Sequence, residues 1–157
     1  MKRFALCSLI VGVAISALPA RAETASPQVA DELIGIVKAQ WAAARQKNEA
    51  EAMKNVSEEC TEFNAVAGTR VEGKALLTRI AEAGDKDPGT TVADEMLNPK
   101  VQVYGDTAIV SYNFFGMAQD KDGKVKPNRA KSTRVYVKQS GKWMLVHANF
   151  GADPLSE

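Results

Sequence analysis

The stretch that decides the fold is STRVYVKQSGKWMLVHANF, residues 132–150. It alternates β-branched or aromatic residues with polar ones on both sides of a Ser-Gly pair at residues 140–141. A Ser-Gly pair between two such runs is typical of a tight hairpin turn. The pattern therefore predicts two antiparallel strands, residues 130–139 and 142–150.

Strand alternation sorts the side chains of this hairpin. Arg134 and Tyr136 are two residues apart and share one face of the first strand. By the same alternation His147, the only histidine in the chain, shares a face of the returning strand with Trp143 and Leu145. An arginine beside a tyrosine, with a histidine nearby, makes this hairpin the first candidate for a binding or catalytic site.

The rest of the chain predicts three helices followed by an antiparallel sheet. Helix starts are indicated by a Ser-Pro pair at residues 26–27, by the capping residue Asn48 and by Gly73. The second helix is predicted to run to about Val56 and the third to end at Gly84. Turn residues separate the predicted strands, which are residues 61–66, 90–97, 100–104, 107–118, 130–139 and 142–150. Helices first and an antiparallel meander afterwards predict an α+β fold.

Residues 1–22 have the composition of an export signal. They begin with a basic pair, continue with an apolar run over residues 4–18, and end in an Ala-Arg-Ala cleavage site. The run is shorter than the ~20 apolar residues of a membrane-spanning helix, which favours cleavage over an uncleaved anchor. We expect a signal peptide at residues 1–22 and one domain at 23–157. The mature protein should be periplasmic or secreted, without stable membrane insertion.

The charge of the mature chain excludes one class of partner. Cleavage removes three basic residues and no acids, so 20 basic and 19 acidic residues become 17 and 19, and the net charge changes from +1 to −2. Binding to a phosphate backbone needs a basic patch, so we expect no nucleic-acid partner.

The cysteine and histidine content predicts no metal or redox chemistry. Cys60 is the only cysteine in residues 23–157, so no internal disulfide can form. A buried, inert thiol is favoured over a reactive one. One histidine and one cysteine without ligand spacing predict no metal site, and no cofactor is expected.

The strand at residues 107–118 is apolar on both faces. Val110, Tyr112 and Phe114 lie on one face, while Ile109 and Phe115 lie on the other. Helices can cover one face of a sheet. The second apolar face predicts a homo-oligomer, a dimer or larger.

A set of short motifs connects the C-terminal two thirds of the chain to a known family. The motifs are Val-Glu-Gly at 71–73, Leu-Asn-Pro at 97–99, Gly-Asp at 105–106, Ser-Tyr at 111–112, Thr-Arg-Val at 133–135, Gly-Lys-Trp at 141–143 and Val-His at 146–147. In this order they resemble the association (hub) domain of calcium/calmodulin-dependent kinase II, within the nuclear transport factor 2-like superfamily. The SnoaL-like branch of that superfamily is the alternative.

The resemblance implies a cone in which three helices pack on a curved antiparallel sheet around a pocket. It also implies dimers or larger rings formed through the outer sheet face. Arg134 falls on an arginine that lines the hub-domain pocket. The positions of a second pocket arginine and a pocket histidine hold Phe114 and Leu77 here. The resemblance therefore implies a largely apolar pocket with one cation.

The candidate pocket residues are Arg134, Tyr112, Tyr136, Phe114, Val110 and His147. An inward Arg134 needs a partner, either a structural salt bridge to Glu62, Asp94 or Glu95, or the carboxylate of a ligand. The third alternative is that the Arg134 side chain faces outward. His147 could act as a general base or serve only in packing. Tyr112 and Tyr136 could supply hydroxyl groups to a pocket, although tyrosines in strands usually pack.

Three functions are compatible with these residues. One is an exported module that binds a small, largely apolar or anionic molecule. Another is a cofactor-independent isomerase, cyclase or dehydratase of the ketosteroid isomerase or SnoaL type, with no catalytic residue assigned. The last is a protein-interaction module. A carboxylate bonded to a pocket tyrosine would favour the enzyme. An open apolar pocket with Arg134 unpaired would favour the binding module, and a bridged Arg134 in a filled pocket would favour protein interaction.

Overall fold

A computed structural model describes residues 23–65, 67–84 and 90–153 of the chain. The predicted signal peptide lies outside the described residues. The elements are β1 (Glu23–Thr24), α1 (Pro27–Arg45), α2 (Glu49–Ala52), β2 (Val56–Phe63), β3 (Val71–Glu72), α3 (Lys74–Gly84), β4 (Thr90–Tyr104), β5 (Thr107–Gln119), β6 (Val125–Gln139) and β7 (Lys142–Ala152). All three helices precede the four long strands β4–β7, with the shorter strands β1–β3 before and between the helices, so the predicted α+β fold is confirmed.

The strands of the described ranges form one curved, unclosed sheet in the order β1-β4-β5-β6-β7-β2-β3. Neighbouring strands are antiparallel except β2 and β7, which run parallel. The parallel pair brings the segment after α2 back beside the last strand. As a result, the helices and the strands from both ends of the chain surround one interior space.

Several predicted boundaries differ from the observed ones. The Asn-Pro pair at residues 98–99 does not separate two strands. It forms a bulge within β4, where Asn98 has a φ of 50° and the register with β5 shifts. A bulge allows one strand to bend without ending, which curves the sheet. The second helix ends at Ala52 and β2 begins at Val56, five residues before the predicted strand.

The helix starts follow the predicted capping residues. Ser26 precedes Pro27 at the start of α1, and its hydroxyl accepts a bond from the backbone N–H of Val29 at 3.4 Å. Asn48 Oδ1 accepts a bond from the N–H of Glu51 at 3.2 Å and caps α2. Local sequence therefore sets where these helices begin.

The core lies between α1 and the inner face of the sheet. Leu33 and Val37 of α1 are completely buried against this face, as are Ala108, Val110 and Ala148 of the strands. Full burial of a leucine or valine side chain contributes about 1.5–3 kcal/mol to the stability of the fold. Packing of α1 on the sheet therefore fixes the wall of the interior space.

An ion pair fixes the C-terminal end of α1. Arg45 in the last turn of α1 pairs with Asp94 of β4. The pair joins the end of the helix to the far end of the sheet. The helix is thus attached to the sheet in two ways, through its buried residues Leu33 and Val37 and through this ion pair.

Candidate functional site

The cross-strand register places Arg134 on the inner face of the sheet. Arg134 lies directly between Val110 of β5 and Ala148 of β7, both of which are completely buried. The arginine itself is 5% exposed. A buried guanidinium is costly unless it has hydrogen-bond or charged partners, so its contacts determine its role.

Neutral groups hold the Arg134 guanidinium. Its Nε donates to the Tyr112 hydroxyl at 2.9 Å, and its Nη1 donates to the side-chain oxygen of Gln40 on α1. The guanidinium carbon lies 5.1 Å from the ring centre of Phe150, a cation–π distance. Burial acts to lower the pKa of Arg134, but the nearby Tyr112 and Tyr136 hydroxyls raise it above its usual value, so the cation persists.

The salt bridge expected for Arg134 is not found, which corrects that alternative. In the described ranges no carboxylate oxygen lies within 4.0 Å of its guanidinium. Asp94 is paired with Arg45 instead, and Glu95 is exposed. Glu62 accepts a bond from the Asn64 side chain at 2.7 Å. The interior cation is therefore held in place without being neutralised.

Open space adjoins Arg134 on two sides. The larger space, here called the aromatic lobe, has a volume of about 460 Å³ and is lined by Trp41, Tyr112, Phe114, Phe150 and Arg134, among others. The second, here called the Glu62 lobe, has a volume of about 320 Å³ and is lined by Gln40, Met53, Glu62, Phe150 and Arg134, among others. Trp41, Arg134 and Phe150 line both lobes, so the cation lies where the two lobes meet.

Aromatic side chains shape the larger lobe. Trp41 of α1 meets Tyr112 and Phe114 edge to face, with ring centres 5.6 and 5.2 Å apart. Such contacts hold rings in fixed orientations. The wall is thus largely apolar, with the guanidinium at one end.

Three of the six predicted pocket residues line the lobes, namely Arg134, Tyr112 and Phe114. Val110 is completely buried in the core. Tyr136 is 1% exposed, and its hydroxyl makes no hydrogen bond with any described residue. It adjoins a separate cavity of about 20 Å³, and burial raises its pKa despite the opposing effect of Arg134. Tyr136 therefore belongs to the wall behind the lobes.

His147 lies on the outer face of the sheet, and its prediction as a pocket residue is corrected. Val135 pairs with His147, but the next residue, Tyr136, pairs with Leu145, so β7 contains one extra residue there. This bulge reverses the alternation of β7. The His147 ring nitrogen Nδ1 is bonded to the Thr61 hydroxyl at 2.8 Å, and its ring packs edge to face with Phe63.

Cys60 has the properties of an unreactive thiol. It is completely buried. Burial, reinforced by the negative charge of Glu62 and opposed by Arg134, raises its pKa from 9.0 to about 11. Because the thiolate is the nucleophile, a thiol with such a pKa reacts slowly at neutral pH.

Sequence reasoning did not predict most of the lining residues, among them Trp41, Gln40 and Phe150. Trp41 belongs to the apolar stripe of α1, and its position over the lobes follows only from how the helix is placed on the sheet. Gln40 and Phe150 also needed the three-dimensional arrangement. Across the residues that the structure describes, no group of three or more histidine, cysteine or acidic side chains could hold a metal ion. No helix in that part of the chain is long and apolar enough to cross a membrane.

A helix-covered curved sheet around an open interior defines the nuclear transport factor 2-like cone fold, and solved structures agree. A protein of that class from Pseudomonas putida, of unknown function, matches with a TM-score of 0.70 and 19% identity, covering 82% of this chain and 89% of that one. The association domain of the Caenorhabditis elegans calcium/calmodulin-dependent kinase II matches with a TM-score of 0.68 and 23% identity, covering 80% of this chain and 96% of that domain.

The family model for the calcium/calmodulin dependent protein kinase II association domain matches residues 29–154, and the chain belongs to this family. Among curated proteins, the Caenorhabditis briggsae calcium/calmodulin-dependent protein kinase type II is 33% identical over 60 residues, which are 38% of this chain and 11% of the kinase. The chain therefore matches only a small part of that kinase's length. The family and the structural neighbours support a cone fold of an oligomerising or ligand-binding kind.

Proposed function

We propose that the mature protein is an exported, homo-oligomeric module that binds a small, largely apolar carboxylate in its interior. The observation that carries this proposal is Arg134, a cation 5% exposed that no described carboxylate neutralises and that borders two open lobes. Its bonds to Tyr112 and Gln40 use Nε and Nη1, which leaves the Nη2 donors outside these two bonds. A guanidinium with free N–H groups fits the paired oxygens of a carboxylate.

The shape of the site favours a ligand that is apolar apart from its carboxylate. Ligand sites are commonly apolar cavities of about 300–1,000 Å³ with few polar groups. The aromatic lobe falls in this range, and its rings provide flat surfaces next to the cation. A flat acid can therefore place its carboxylate on Arg134 and its apolar part between Trp41 and Phe150.

The two alternative functions have less support. An isomerase-type site needs a carboxylate and a hydroxyl directed at one substrate atom. The Tyr112 hydroxyl accepts from Arg134 and is bonded to no carboxylate of the described residues, and the Tyr136 hydroxyl lies outside the lobes. A protein-interaction module with an unused interior would have a filled pocket and a bridged arginine. The open lobes and the unbridged Arg134 favour ligand binding instead.

The oligomer is proposed from the outer sheet face and the family. Phe63 is 46% exposed beside His147, and Ile109 and Phe115 lie partly exposed on the same face. A broad apolar sheet face is a liability for a monomer in water. Association domains form oligomers, which supports the same arrangement here.

A thermal-shift panel tests the binding function. Flat aromatic carboxylates at 100 times their dissociation constant should stabilise the mature protein by about 2.7 kcal/mol, which raises the melting temperature by roughly 10 °C. Acetate should have a smaller effect. Arg134→Met, which keeps the volume and removes the donors, should abolish the response.

The control is Arg79→Met, which removes an exposed arginine from α3 and should keep the full response. A flat response of the wild type to every acid, together with a strongly destabilised Arg134→Met, would show that the arginine has a structural role. The binding function would then be wrong.

A further inference from the structure

Glu62 and Glu49 are the acidic side chains that line the same lobe as Arg134, and Glu62 is the one that the strand register places on the inner sheet face with Arg134. It lies on β2, where the parallel register pairs it with Ala148, and Ala148 in turn pairs with Arg134. Directly paired residues share a face of the sheet. Glu62 is half-buried, and it lines the Glu62 lobe together with Arg134.

The two charges face one interior space without neutralising each other. Two strand spacings separate their backbones, about 10 Å. Glu62 accepts a bond from the neutral Asn64 amide at 2.7 Å, and Arg134 donates to the neutral Tyr112 and Gln40. Both charges influence Cys60, in opposite directions. The interior therefore carries a cation and an anion with a gap between them.

This arrangement favours a simple carboxylate less than a ligand that carries a cation as well. A monoanion bound to Arg134 would add a second negative charge close to Glu62, and like charges in a partly desolvated site repel. A ligand with an additional cationic group would reverse that interaction. Its ammonium could donate to Glu62 while its carboxylate accepts from Arg134, which leaves the occupied site neutral.

We infer that the ligand class is a zwitterion, an α-amino acid with an apolar side chain, bound between Arg134 and Glu62. The inference rests on the proposed carboxylate-binding function. Because Arg134 borders both lobes, a carboxylate bound there directs its substituents into both. The ammonium enters the Glu62 lobe and the apolar side chain enters the aromatic lobe.

Calorimetric titration of the mature protein at pH 7 tests the inference with matched probes. L-phenylalanine is compared with 3-phenylpropanoate, which lacks the ammonium, and with 2-phenylethylamine, which lacks the carboxylate. L-leucine and 4-methylpentanoate form a second pair. Each amino acid should bind about tenfold to a hundredfold more tightly than its deaminated acid, the ratio expected for one hydrogen bond between charged groups.

The variant Glu62→Gln keeps an oxygen that can accept from Asn64 and removes the charge. It should eliminate the preference for the amino acid and leave binding of the deaminated acid equal or tighter. Glu59→Gln, an exposed glutamate on the same strand, should behave as wild type.

The outcomes separate this inference from the proposed function. If deaminated acids bind as tightly as the amino acids, or if Glu62→Gln keeps the preference, the zwitterion inference is overturned and carboxylate binding stands. If neither amino acids nor any acid of the thermal-shift panel binds, the proposed function fails and the inference fails with it.

Discussion

Two tyrosines on the inner sheet face differ in whether their hydroxyl group is hydrogen-bonded. Replacing each by phenylalanine should therefore change the stability of the protein in different directions. Tyr112 and Tyr136 are similarly buried, 5% and 1% exposed. The Tyr112 hydroxyl accepts a bond from Arg134 Nε at 2.9 Å, whereas the Tyr136 hydroxyl makes no hydrogen bond with any described residue. Replacing each by phenylalanine removes only the oxygen.

The expected magnitudes follow from these contacts. Tyr112→Phe leaves a buried cationic N–H without an acceptor, and a hydrogen bond to a charged group contributes about 1.5–3 kcal/mol. Its melting temperature should fall by roughly 5–10 °C. Tyr136→Phe removes a buried oxygen whose desolvation is uncompensated, so it should be neutral or stabilise by about 1 kcal/mol.

The assay is denaturant unfolding of both variants at one protein concentration, because oligomerisation makes apparent stability depend on concentration. The two free energies of unfolding should differ by about 2–4 kcal/mol, with Tyr136→Phe the more stable. Equal destabilisation of both variants would refute the reasoning. It would mean that the Tyr136 hydroxyl has a partner, either the nearby Arg134 guanidinium or a water in the adjoining cavity of about 20 Å³.

Three further predictions concern the thiol, the assembly and the N-terminus. Because folding raises the pKa of Cys60 from 9.0 to about 11, its contribution to stability is present below pH 9 and is lost between pH 9 and 11. Wild type should therefore lose about 2–3 kcal/mol more than Cys60→Ala in that interval, and equal losses would contradict the shift. Light scattering should show at least a dimer at micromolar concentration, and Ile109→Glu should shift it to monomer; a wild type that is monomeric at every concentration would disprove the assembly. N-terminal sequencing of periplasmic protein should begin near Glu23, whereas full-length chain in the membrane fraction would indicate an anchor.

The parts of the fold that depend on local chemistry could be predicted from the sequence. Capping residues predicted where α1 and α2 begin, and the Ser-Gly pair predicted the β6–β7 turn, where Ser140 and Gly141 both have positive φ. There is no register shift between β5 and β6. Alternation along these strands therefore assigned Tyr112 and Arg134 to one face of the sheet and the residues next to them to the other. Contacts between distant elements were not predictable in this way, as Gln40 and Trp41 of α1 show.

The prediction that His147 is a pocket residue was wrong for a specific physical reason. Alternation assumes that each residue advances a strand by one position, and a bulge breaks that assumption for every residue beyond it. The extra residue of β7 between Leu145 and His147 turns His147 outward and turns Ala148 and Phe150 inward. Without the bulge, Phe150 would lie on the opposite side of the sheet from Arg134. Ala148, which pairs with Glu62, would likewise point outward. One inserted residue thus removes the histidine from the interior and provides the aromatic surface and the register on which the proposed binding site depends.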